Sequence, residues 1–188
     1  MIKNNMPMDF NVQQLDVDMF GVGGMKIGGN ENRKNLLSDE TILEVNARSP
    51  KVIVLWIGDN DIKITTEPHE LSLRILSAVD NLFVKTKIEH VCLMQLIPRF
   101  LWDAGLNTHY DFVARQVNQL LKAACGKRHN LSFHFHDFTR FRCEKEIRYY
   151  NLQRFYKDDV HLNDEGNYKL FRSIRGLLIT LNQGRQVR

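Results

Sequence analysis

Long apolar runs are missing from this sequence. No stretch of its 188 residues approaches the roughly 20 consecutive apolar positions that a membrane-spanning helix needs. The polar start Met1-Ile2-Lys3-Asn4-Asn5 lacks the apolar h-region of a secretory signal, so an intracellular protein without a membrane partner is the expectation. Cysteine is scarce: Cys92, Cys125 and Cys143 are odd in number and share no metal-type or redox-type spacing. That excludes a disulfide framework and fits a reducing compartment. Internal repeats, low-complexity tracts and linkers are absent as well. What is present is the composition of an ordinary globular chain, 43% hydrophobic and 26% charged, long enough to bury one sizeable core. We expect an extension at 1–14, one domain over 15–182 and a short tail at 183–188.

A net charge of +4 and a pI near 9.0 are mild, yet they invite an anionic partner. Bases and aromatics interleave from Arg140-Phe141-Arg142 through Arg148-Tyr149-Tyr150 to Arg154-Phe155-Tyr156-Lys157, as they do in single-strand binders. Weak nucleic-acid binding is therefore one expectation. Glu144 and Glu146 interrupt the stretch, and the same aromatics could equally pack a loop onto the core.

The apolar patterning is that of an α/β protein. Lys-Val-Ile-Val-Leu-Trp-Ile at 51–57 and Val-Cys-Leu-Met-Gln-Leu-Ile at 91–97 are short continuous runs that read as strands buried on both faces, and 131–136 is a weaker third. Leu15 to Phe20 alternates apolar and polar, ends at Gly21-Val22-Gly23-Gly24 and reads as an earlier strand. Helical spacing joins Leu71, Ile75, Leu76, Val79, Leu82 and Phe83 after Pro68, and again Phe112, Val113, Val117, Leu120 and Leu121 before Gly126. Ser38-Asp39-Glu40-Thr41 looks like a capped helix start, and a last helix buries Leu170, Phe171, Ile174, Leu177, Leu178 and Leu181. Strands alternating with helices predict a parallel sheet with right-handed crossovers.

In such sheets ligands bind at the carboxyl ends of the strands. Three candidates lie there. Gly58-Asp59-Asn60-Asp61 follows the strand at 51–57; glycine permits a sharp turn, and an asparagine amide can donate to a developing oxyanion, although Asn and Asp also simply make good turns. Asp158-Asp159-Val160-His161 precedes the last helix, where a carboxylate can orient one ring nitrogen while the other serves as base. Asn163, Asp164 and Glu165 explain part of that stretch as helix capping. The Gly23-Gly24 loop could offer a backbone N–H to an anion. His134 and His136 share a strand face and could bind a metal with Asp137, whereas His69, His90, His109 and His129 read as surface residues.

In this order and at these positions, the three blocks resemble the SGNH, or GDSL-type, hydrolase family from about residue 15 to residue 181. The string Asp-Val-His-Leu-Asn-Asp-Glu-Gly-Asn-Tyr-Lys-Leu at 159–170, with Arg172-Ser173-Ile174-Arg175-Gly176 after it, looks like SGNH domains encoded in some animal retrotransposons. The resemblance implies a doubly wound, three-layer α/β/α, flavodoxin-like domain acting as a serine esterase or acylhydrolase on a small-molecule ester or acylated substrate. It implies Asn60 and Gly24 as the oxyanion hole, with Gly23 as the other glycine that fits, His161 as base and Asp158 as its orienting carboxylate. No metal and no cofactor is implied.

The family's nucleophilic Gly-Asp-Ser does not occur in these residues. None of the six serines, Ser38, Ser49, Ser72, Ser77, Ser132 and Ser173, falls where it would meet His161. The expectation is a domain lacking its first strand and helix, with impaired catalysis. The alternative is a non-catalytic module binding an acyl, glycan or nucleic-acid ligand. Because the family's first strand lies between the second and third, the strand at 15–20 would have to pair directly on that at 51–57, or the chain would fold poorly alone.

Overall fold

The computed structural model describes residues 10, 12, 15–22, 24–28, 35–100, 104–135 and 153–183, and the structural statements below concern these. Helix α1 spans Asp39–Arg48, strand β1 Val52–Leu55, helix α2 Pro68–Lys85, strand β2 His90–Met94, helix α3 Ala104–Cys125, strand β3 Leu131–His134 and helix α4 Asp164–Asn182. The starts and stops have local causes. Ser38 Oγ accepts the Thr41 N–H at 3.3 Å to cap α1, Pro68 opens α2, and Asn163 Oδ1 accepts the Gly166 N–H at 3.0 Å to cap α4.

The three strands are parallel in the order β1-β2-β3. Side chains alternate across a strand, so the register Ile53↔Val91↔Leu131 and Leu55↔Leu93↔Phe133 gathers these residues on one face. That face packs on Leu71, Ile75, Val79 and Leu82 of α2 and Val113, Val117 and Leu121 of α3. The other face carries Cys92, Met94, Ser132 and His134. Helix α4 lies over it, with His134 Nε2 2.9 Å from Ser173 Oγ. The result is the expected three-layer α/β/α arrangement with a parallel sheet. No described helix is long and apolar enough to cross a membrane.

One expected element is not there. Leu15 to Phe20 forms no strand, and it does not pair with β1; a lone bridge, Lys26↔Asn35, is the parallel contact in this region. Alternation prepares a segment for a ladder but cannot supply the partner edge, and here side chains hold the segment instead. Asp18 pairs with Arg48 of α1, whose guanidinium sits 5.7 Å from the Phe20 ring centroid. Upstream, Phe10 stacks on Phe171 of α4 at 4.7 Å and its carbonyl accepts from Arg175 Nε at 2.9 Å.

Beyond Met94 the ladder is continued by a side chain. Buried Asn118 of α3 accepts the Leu96 N–H at 2.9 Å and donates to the Leu96 carbonyl at 3.0 Å. Asn118→Leu would strand both peptide groups without solvent, and we expect a loss of about 3 kcal/mol, read as a lower urea midpoint at unchanged m-value. A loss below 1 kcal/mol, by the same net worth of a hydrogen bond, would mean that the chain beyond Met94 relaxes freely.

Candidate active site

The turn after β1 requires its glycine: Gly58 has φ +114°, and a Cβ there would stand 3.0 Å from Ile75 Cδ1. Residues Asp59–Asp61 then make one turn of 3₁₀ helix, so their three side chains fan out in different directions, each to its own partners. Asp61, buried, accepts the Ile27 N–H at 3.1 Å and Arg74 Nη2 at 2.9 Å, tying the glycine loop to α2. Asn60 donates through Nδ2 to the Met25 carbonyl at 3.1 Å and accepts at Oδ1 from Arg99 Nη2 at 3.0 Å. Asp59 accepts the Tyr110 hydroxyl at 2.8 Å. Burial raises the Asp59 carboxyl above its ordinary range, opposed by the charge of Arg99 and by hydrogen bonds from Tyr110 and Trp56.

Gly24 lies on the loop that Asn60 and Asp61 hold. Its φ is +74°, inside a turn closed by the Met25 N–H on the Val22 carbonyl at 3.2 Å. Gly23 lies outside the described residues. A groove of about 380 Å³ runs from Ile27 and Gly28 past Leu37 to Leu73 and Ala78 of α2, with the polar side chains of Glu70, Arg74 and Ser77 also on its wall.

The third turn is a tight one before α4, closed by the Lys157 N–H on the His161 carbonyl at 2.9 Å. Asp158 Oδ1 accepts the backbone N–H groups of Val160 at 2.9 Å and His161 at 2.6 Å, and the carboxylate also faces His161 Nδ1 at 2.9 and 3.0 Å. A neutral imidazole that gives an Nδ1–H to this carboxylate leaves Nε2 as its acceptor, on a ring that is exposed. Asp159 contributes its backbone carbonyl, which accepts the Phe100 N–H at 2.7 Å.

The segment after β2 joins these turns. Arg99 reaches Asn60 from it, Phe100 holds the Asp158–His161 turn, and the Tyr156 hydroxyl donates to the Pro98 carbonyl at 2.7 Å. Asn60, the Gly24 loop and the His161 turn are thus connected along the carboxyl edge of the sheet. Arg99 and Tyr110 are absent from the sequence reading; the signal that could have found Arg99 is its place just after an apolar run, where ligand groups gather.

Several residues have other employment. His90 is half-buried, not a surface residue: its Nε2 lies 2.8 Å from Ser132 Oγ, and burial lowers its pKa. His134 is engaged with Ser173, and its proposed metal partners His136 and Asp137 lie outside the described residues, among which no cluster of three metal-ligating groups occurs. The basic aromatic stretch is described only from 153 on. There Phe155 is buried and the Tyr156 ring packs edge-on against Phe100 at 4.7 Å, so both pack a loop rather than form a stacking platform. Burial pushes the Cys92 thiol up to about 11 and the Cys125 thiol to about 12, so both are inert at neutral pH; Cys143 lies outside the described residues.

The Asp158 carboxyl is held down at about 2, below its ordinary 3.8, first by the backbone N–H groups of His161 and Val160 and only then by the imidazole. A folded pKa below the unfolded one means that the turn's contribution is complete above about pH 4 and disappears as pH falls through about 2. In a carboxyl NMR titration, His161→Ala should leave the Asp158 midpoint well below 3.8, because that variant keeps both backbone donors. A return to the ordinary value would make the imidazole the main cause.

A parallel three-layer domain with its polar turns gathered on the carboxyl edge has the architecture of the doubly wound α/β proteins, which bind ligands at that edge. Residues 5–174 match the GDSL-like lipase/acylhydrolase family, and the chain belongs to that family. Comparison with curated proteins gave no match. Among solved structures, a candidate acylhydrolase from Bacteroides fragilis is 18% identical with a TM-score of 0.52, covering 74% of this chain and 68% of its own. An acetyl xylan esterase, AlAXEase, is 17% identical with a TM-score of 0.52, covering 85% of this chain and 79% of its own. At these identities both speak to the fold alone.

Proposed function

We propose that the carboxyl edge is an ester-binding site of acylhydrolase type that keeps the oxyanion and base groups and is catalytically impaired, because these residues offer no serine nucleophile. In this reading Asn60 and the Gly24 loop receive the carbonyl oxygen, His161 is the base, and Asp158 orients it. The observation that carries the reading is the Asp158–His161 pair, held by Phe100 on the same short segment whose Arg99 reaches Asn60. The groove that starts at Ile27, three residues beyond Gly24, supports a small ester or acylated substrate, with its acyl part against Ile27 and Leu73. The string at 159–170 supports kinship with the SGNH domains of animal retrotransposons.

Without a nucleophile, His161 is left to activate water directly. Slow hydrolysis of p-nitrophenyl acetate is the expected behaviour, with His161→Ala and Asn60→Ala each lowering it by roughly tenfold or more. Asp159→Asn, which keeps the carbonyl held by Phe100, should leave the rate alone. Hydrolysis no faster than buffer, or a rate indifferent to both substitutions, would remove the reading.

A further inference from the structure

A carboxamide has two edges of opposite hydrogen-bonding sense, and rotation by half a turn exchanges them at almost no steric cost. An asparagine can therefore aim a donor dependably only where its surroundings distinguish oxygen from nitrogen. At Asn60 they do. On one side stands Arg99, whose guanidinium only donates, with Nη2 3.0 Å from Oδ1. On the other stands the Met25 carbonyl, which only accepts, 3.1 Å from Nδ2. The flipped amide would set its N–H groups against the guanidinium and its oxygen against a carbonyl, losing two hydrogen bonds and gaining two repulsions.

Arg99 has its own supports. Its guanidinium carbon sits 5.2 Å from the Tyr110 ring centroid, within cation–π range, and its charge acts on the Asp59 carboxyl. Tyr110 is anchored in turn: its hydroxyl lies 2.8 Å from Asp59 Oδ1 and 3.2 Å from the Ile97 carbonyl. Helix α3, the turn after β1 and the segment after β2 thus converge on one guanidinium.

We propose that Arg99, braced by Asp59 and the Tyr110 ring, is a positioning residue that holds the Asn60 carboxamide with its Nδ2 toward the glycine loop. Met25 takes one Nδ2 hydrogen, and the second is the one a carbonyl oxygen would receive. That last consequence rests on reading Asn60 as an oxyanion donor; the orientation itself does not.

The test is the side-chain ¹⁵NH₂ signal of Asn60, identified by its loss in Asn60→Asp. The Asn118 pair, bound to the Leu96 carbonyl at 3.0 Å, reports that the fold is intact. In Arg99→Met the two Asn60 hydrogens should converge toward free-carboxamide shifts and exchange with solvent roughly tenfold faster, the loss of one charge-assisted hydrogen bond, with the Asn118 pair unmoved. If Arg99→Met fails to fold, Arg99→Gln is measured instead; its amide stops short of Asn60 Oδ1, and the same change is expected. An Asn60 pair that stays in place in the variant that folds overturns the proposal. Titrating n-butylphosphonate, a tetrahedral anion, into the unmodified chain separates the two claims. Shifts at Asn60 support the ester-site reading, whereas a response to the Arg99 variants without one to phosphonate keeps the positioning role and discards the oxyanion reading.

Discussion

Intact-mass spectra of the 188-residue chain after incubation with a fluorophosphonate are expected to show no covalent adduct. A fluorophosphonate reports a serine whose proton is taken by a base while donors stabilise the developing anion. Ser38 caps α1, and Ser72 donates to the His69 carbonyl at 2.7 Å. Ser132 and Ser173 are the two to watch, since each faces a histidine ring nitrogen at hydrogen-bond distance. Both pairs lie on the sheet face covered by α4, Ser132 buried within a strand and Ser173 in mid-helix, and neither histidine is His161. In well-studied triad enzymes, loss of the nucleophile costs about 10⁶ in kcat and leaves a residual ~10³–10⁴-fold over water. An adduct on Ser132 lost in His90→Ala, or one on Ser173 lost in His134→Ala, would show that the fold has recruited a substitute and would end the impaired reading.

Gly166→Ala should be strongly destabilising, because α4 crosses the turn before it with no room for a side chain. A Cβ at 166 would lie 2.3 Å from the Phe155 carbonyl oxygen and 3.1 Å from Leu162 Cβ and Cδ2. The oxygen cannot step aside, since it already accepts the Asn163 N–H at 2.9 Å, while Asn163 Nδ2 donates to the Arg154 carbonyl at 2.6 Å. We expect a cost of about 3 kcal/mol, or about 10 °C in Tm. The His161 turn should separate from Phe100 with it. Gly176→Ala is the control in the same helix: nothing lies within 4 Å of a Cβ there, and relief of glycine's helical penalty should add about 1 kcal/mol. Thermal melts of the two variants that move in the same direction would sink this account of the close approach.

Residues near one another in the chain made most of the secondary structure legible. The runs at 51–57 and 131–136 contain β1 and β3, the run at 91–97 overlaps β2 over 91–94, and Ser38, Pro68 and Asn163 stand where helices begin, because periodicity and capping act within a few residues. The contact of Asp158 with His161 is also local, spanning one turn. Tertiary structure decided the rest. Leu15 to Phe20 has the alternation of a strand, but a strand exists only where another edge accepts its peptide groups, and that edge is a matter of assembly rather than of pattern. The partners of Asn60 lie 35 and 39 residues away at Met25 and Arg99, the Tyr110 hydroxyl meets Asp59 across 51 residues, and His90 and His134 find their serines across 42 and 39. No local preference encodes such pairings: they form because strand pairing and helix packing bring distant segments side by side, where each polar group removed from water must find whichever partner the packing has delivered.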